Sequence, residues 1–252
     1  MTAGLALITG ALAGVVTMSL HPTGRDLLQS GEQAAHAAWR NAAVHWLALA
    51  SLPLLILGFL GLSRLLGLRR AVVSAAFITY ALGCAAAMCA AIMSGLVAPS
   101  VARQILSADQ SSRSTFEALL HYTGDLNQGF AKVYVAASSA AVILWSASIL
   151  RTRALAGAAG TLGCLIGGGS LLALASGHLR LNVHGFGLFV VAQSAWIVLV
   201  GVLLCRVPDA AAIPKRLDVL EREKRDREGY VRYPASLDEP EVRDKVADWP
   251  DK

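Results

Sequence analysis

Six long runs of mostly apolar residues constrain this chain more than any other feature. They fall at approximately 3–20, 43–62, 71–97, 130–150, 155–176 and 185–205. A helix needs roughly 20 such residues to cross the hydrocarbon core of a bilayer. Only 15% of the 252 residues are charged, against about 25% in soluble domains. The expected architecture is therefore an all-α integral membrane protein, a six-transmembrane-helix bundle in the lipid bilayer. The first run follows only Met1 and Thr2, without the basic segment of a signal peptide, and "MSLHPTG" after it offers no small-residue cleavage site. It is expected to be a retained helix.

The charges orient the bundle. Residues 1–206 carry twelve Lys/Arg and five Asp/Glu, whereas 207–252 carry ten and twelve. The basic excess belongs to the membrane part, where it reports topology and not nucleic-acid binding. Arg64, Arg69 and Arg70 follow the second run, and Arg151 and Arg153 the fourth, with no acid in either loop. Arg206, Lys215 and Arg216 follow the sixth. Short basic loops stay cytoplasmic, so both termini are expected in the cytoplasm. The acids of the membrane part, Asp26, Glu32, Asp109, Glu117 and Asp125, all fall in the other loops, which agrees with a count of six spans. The Ala/Gly/Leu/Arg-rich usage suits a bacterial inner (plasma) membrane.

The same topology places all six histidines at or near the outer side. His21 ends the first span, His36 and His45 lie at the start of the second, and His121 is in the third loop. His178 and His184 flank the last connection. Imidazole is amphipathic and tolerated at headgroup depth, which accounts for a scattered set. It is also the commonest side-chain ligand of zinc, copper and haem iron. His21, His45, His178 and His184 end four different helices, so a bundle that converged them would hold a haem or a copper or zinc ion. His36 and His45 face opposite ways on one helix. His45 is the deeper and has Asn41 one turn before it, so it is the ligand candidate. Ser30 and Gln33 before it fit a capping box. No HExxH or CxxC spacing selects a metal. Cys84, Cys89, Cys164 and Cys205 lie inside apolar runs, as small packing residues do.

A second polar set surrounds the fourth span. In the third loop, 98–129, "SRSTFEALLHYTGD" reads as a short amphipathic helix, with Ser114 and Glu117 as a capping box and Gly124 as its stop. His121 lies on it, and Asp125, Asn127, Gln128 and Lys132 follow. Together with Gln193, the most polar residue well inside a span, they are candidates to line a polar cavity. Gln128 and Lys132 share a helix face.

Small residues recur at fourfold spacing: Gly10 and Gly14, then Gly83, Ala87, Ala91 and Gly95, then Gly163 and Gly167. Such spacing lets helix backbones approach closely where lipid removes the hydrophobic drive. "IGGGS" at 166–170 reads as more of the same close packing, with a flexible or broken segment as the alternative. The tail, 207–252, is expected to form a short cytoplasmic helix at about 213–228 and then to run extended or disordered.

Three functions remain open at this stage. A charge-free core, small-residue faces and a charged tail suit a non-catalytic subunit or scaffold, with a protein partner held through helix faces or the tail. Converging histidines would make a redox or metal-handling protein. A cavity lined by Asp125, Gln128 and Gln193 would make a carrier or enzyme for an apolar substrate such as a lipid or quinone. The chain has no P-loop, nucleophile elbow or Rossmann fingerprint.

Overall fold

The structure, a computed structural model, describes residues 1–22 and 32–207, with side chains for all but 32–35 among them. The described residues form helices and no strand: α1 (Thr2–Leu20), α2 (Glu32–Leu66), α3 (Ala71–Ile92), α4 (Ala98–Ser107), α5 (Gln110–Thr152), α6 (Gly157–Ala175) and α7 (Val183–Arg206). A π-helical turn, Met93–Val97, joins α3 to α4 without a break. With 71–107 taken as one rod, six helices among the described residues are long and apolar enough to cross a membrane. The tail helix at 213–228 and the Ser30/Gln33 capping box lie outside the described residues.

The helices pack as two antiparallel groups of three. In one, α1 lies between α2 and α7; in the other, α5 lies between α3 and α6. Small residues set both groups. A Cβ at Gly4 would overlap the Gly201 carbonyl of α7, and one at Gly58 or Gly61 of α2 would overlap Leu7 or Ala3 of α1. Gly83 of α3 meets Ala137 of α5, and Gly167 of α6 meets Ile143 and the Ser139 carbonyl of α5. Gly10 rests against Leu55 of α2, and Gly163 against Ser146 and the Trp196 indole. Gly168 and Gly169 face nothing within 4 Å. The glycine run does not break α6, which is continuous through it.

Large rings fasten the two groups together in the half nearer Met1 and Arg206. Phe59 of α2 stacks on Trp145 of α5 with centroids 4.3 Å apart, and meets Tyr80 of α3 at 4.5 Å and Trp196 of α7 at 6.0 Å. All four rings are fully buried. Both indole N–H groups are satisfied: Trp145 donates to Ser63 Oγ at 2.9 Å and Trp196 to the Ala159 carbonyl at 2.8 Å. Leucines such as Leu57, Leu165, Leu172 and Leu188 point outward, as lipid-facing residues do. Trp39 and Trp46 are exposed near the start of α2, where an aromatic belt would meet the headgroups.

The third loop differs from the sequence expectation. Most of 98–129 is helical: α4 buries Val101, Ala102 and Ile105, largely against α5, and α5 starts at Gln110 and runs on into its span. The cap is Asp109, whose carboxylate accepts from Ser112 N at 2.8 Å, and not Ser114. These bonds hold the exposed Asp109 carboxyl below its ordinary pKa. Glu117 pairs instead with Arg113 one turn back, at 3.1 Å. Gly124 does not stop the helix, because an interior glycine costs only about 1 kcal/mol and the span that follows anchors the helix beyond it.

Two glycines five residues apart on α6 should respond oppositely. Gly163→Ala should destabilise the protein by about 1–3 kcal/mol through overpacking against Trp196. Gly168→Ala should be neutral, or stabilising by up to about 1 kcal/mol through helix propensity. Unfolding midpoints of the two variants in one detergent check the contrast.

Candidate functional site

Where the aromatic rings end, the two helix groups separate. A cavity of about 430 Å³ lies between them, walled by α1, α2, α3, α5 and α7. It runs from His21, Asn127 and Asn182 near the helix ends to Gly10, Leu55 and Gln193 in the membrane interior. Gly10 and His21 are eleven residues apart in the chain, which on a helix is roughly 16 Å of depth. At its deep end the lining residues Ala11, Leu52, Leu55 and Ile197 belong to the same buried core cluster as Leu7, Phe59 and Trp196. The walls are mostly apolar, and among the described residues that line the cavity there is no Asp, Glu, Lys, Arg or Cys.

Gln193 supplies the polarity at depth. It is 3% exposed. Ser138 commits its hydroxyl proton to the Tyr134 carbonyl at 2.7 Å, so its oxygen is an acceptor. The Gln193 Nε2 therefore faces Ser138 and Ser139, at 3.5 and 3.4 Å. The other end of the amide, Oε1, is buried with no hydrogen-bond partner. An unpaired buried acceptor costs about 1–3 kcal/mol.

At the other end stands a pair of histidines. His21, just past α1, and His45 of α2 bring their Nε2 atoms to 3.3 Å. Their ring centroids are 4.9 Å apart and the planes cross at 66°. His21 Nδ1 is 2.8 Å from the Pro22 carbonyl, and His45 Nδ1 is 2.7 Å from the Asn41 carbonyl. Burial lowers the His21 pKa, and the bond to Pro22 works against that shift. Several features place His45. Gly95 of the π turn leaves the space its ring fills, since a Cβ there would overlap it. The Asn41 amide donates to the Ser94 and Gly95 carbonyls of that turn at 3.2 and 3.3 Å. Thr17 of α1 donates to the Val44 carbonyl at 3.4 Å.

The other sequence candidates divide by position. Asn127 and Gln128 line the cavity, and Gln128 Nε2 ties the α6–α7 connection to α5 through the Leu181 carbonyl at 3.0 Å. Ala87 and Ala91 form part of its wall, and Gly14 lines it opposite Val190. Asp125 and His121 are exposed and do not line it. Lys132 is also exposed and sits in a separate shallow depression with Arg180. His178 is exposed and bonded to Ser176 Oγ at 2.9 Å, and His184 is exposed on α7. Neither comes to the His21–His45 pair, and among the described residues no group of three His, Cys, Asp or Glu is placed to hold a metal. The spacing of the pair is shorter than a bis-imidazole haem needs. Two axial imidazole nitrogens stand ~4 Å apart across an iron with the macrocycle plane between them, whereas these Nε2 atoms are 3.3 Å apart. Sequence reasoning missed Met18, Asn182, Tyr134 and Phe186 on the cavity wall. Met18 alone had a signal, its place one turn before His21. No family model, curated protein or solved structure matches this chain.

Asn41→Leu should lower stability by about 1–2 kcal/mol, because two carbonyls of the π turn lose their donor. The unfolding free energy of the variant in detergent checks this. A value equal to the parent would mean that the turn does not depend on Asn41.

Proposed function

We propose that this integral membrane protein is a binding protein or carrier for a small, neutral, mostly apolar molecule that presents a hydrogen-bond donor, such as a hydroxyl, to Gln193. The observation that carries this reading is Gln193 on the deep wall of a mainly apolar cavity, with an Oε1 that is buried and unpartnered, so that a ligand hydroxyl reaches it by turning the amide. The volume, about 430 Å³, lies within the usual range for small-molecule sites. The absence of formal charge among the described lining residues favours a neutral ligand at the Gln193 end, since a charged one would sit there in a low-dielectric wall without a partner. The subunit or scaffold reading has its support in the packing glycines and the tail, but neither of those calls for a cavity with an orphaned acceptor.

Matched probes test the reading. The full chain in detergent should bind 2-naphthol more tightly than 2-methylnaphthalene, as measured by native mass spectrometry. Gln193→Leu should erase that preference, weakening 2-naphthol binding by about 10- to 100-fold. The same substitution should leave the ligand-free protein as stable as the parent or more so, because it removes an unsatisfied group. Equal binding of the two probes to the parent would sink the idea.

The same reading sets the protein in a bacterial inner membrane with its histidine end outward. It rests on the basic residues at the opposite end, Arg64, Arg69, Arg70, Arg151, Arg153 and Arg206. A green fluorescent protein fused after Lys252 should fluoresce, and alkaline phosphatase at the same place should be inactive. The reverse pattern would invert the topology.

A further inference from the structure

The histidine pair has an electrostatic problem that its own structure does not solve. Each Nδ1 lies against a backbone carbonyl, which can only accept, so each Nδ1 carries the ring proton. In the neutral rings both Nε2 atoms are then bare lone pairs, and they face each other at 3.3 Å. Two acceptors at that distance repel. Something positive between them would turn the repulsion into binding.

The geometry is that of two ligands on one ion. Nitrogens ~2.0 Å from a common centre lie ~3.3 Å apart at a tetrahedral angle and ~3.5 Å apart at a trigonal one. The observed separation is 3.3 Å, and the rings cross at 66° instead of meeting in one plane. The backbone bonds at Nδ1 are the outer-shell contacts that normally fix the tautomer and aim of a metal-binding imidazole. Met18 lines the same cavity one turn before His21 and brings a thioether to that wall.

We propose that His21 and His45 are the two nitrogen ligands of a monovalent copper site at the outer part of the cavity, with the Met18 sulfur as the third ligand. The choice of ion follows from the donors. Imidazole with thioether selects Cu(I). Among the described lining residues there is no carboxylate or thiolate to balance a divalent ion. The site does not depend on what Gln193 binds.

The test uses the full chain in detergent, titrated with Cu(I) under anaerobic reducing conditions against the chelator bicinchoninate. One Cu(I) should bind per chain, and X-ray absorption should show two nitrogens and one sulfur. His21→Ala, a substitution just past the end of α1 and so gentle on folding, should weaken binding by about 100-fold with circular dichroism unchanged. His45→Ala should do the same where it folds. Met18→Leu should remove the sulfur scatterer and keep both nitrogens. His178→Ala and His184→Ala should bind as the parent does. The proposal is overturned if the chelator keeps all the copper, if His21→Ala binds like the parent, or if Zn(II) binds at the same residues as tightly as Cu(I). Gln193→Leu should leave copper binding intact, which separates this site from the deep one.

Discussion

The stack of Phe59 on Trp145, with Tyr80 and Trp196 around it, decides where the two helix groups touch and where they do not. Lipid tails are as apolar as leucine, so helices in a membrane gain little from hiding apolar surface against each other. They associate through close contact and hydrogen bonds. Aromatic pairs add about 0.5–1.5 kcal/mol each beyond the area they bury. Here both indole N–H groups are also bonded, to Ser63 and Ala159, which fixes the ring orientations. The spacing between the groups is set at that level. Toward the histidine end many of the facing residues are small, Gly10, Ala11, Gly14, Ala87, Ala90 and Ala91 among them, although Tyr134 and Phe186 also stand on the wall. Side chains of that size cannot span a gap propped open by tryptophans. The small residues thus leave room that the larger ones beside them do not fill.

Irregular backbone gathers at the same place. The rod from Ala71 to Ser107 stays α-helical except at Met93–Val97. Such π turns cost hydrogen-bond geometry and recur at functional sites. This one sets Gly95 beneath the His45 ring and turns two carbonyls toward Asn41. A regular helix through the same residues would space the Gly95 gap and the two carbonyls differently. Asn41, Gly95 and His45 therefore act as one unit, in which a backbone distortion on α3–α4 is held by an amide on α2 and makes room for an imidazole on α2.

Much of this was legible in the residues, for reasons that differ by element. The six spans were readable because apolar length has one meaning in a bilayer. Gln193 stood out because an amide deep in a span is expensive and so is rarely accidental. The long α5 was not readable: Ser114, Glu117 and Gly124 carry real cap and stop signals, but Asp109 caps one turn earlier and a single glycine is too weak to end a helix with a span beyond it. The histidines show the limit of topology. The sequence places His21, His45, His178 and His184 on one side, but only the adjacency of α1 and α2 brings the first two together. The α6–α7 connection carries the other two on exposed positions. Asp125 and Lys132 are four and seven residues from His121 and Asp125 in turn, and their helical phase, not their chemistry, turns them away from the cavity.

The position of the cavity has a consequence for direction. The cavity reaches the helix ends at His21, Asn127 and Asn182, whereas its deep end meets the core cluster that holds Leu7, Phe59 and Trp196. If the cavity holds a ligand as proposed, this arrangement would exchange it at the histidine end. Delivery to the far side would require the rings to part, and with them the contact that positions the two helix groups. On that reading, the sidedness of the cavity would rest on a handful of aromatic residues.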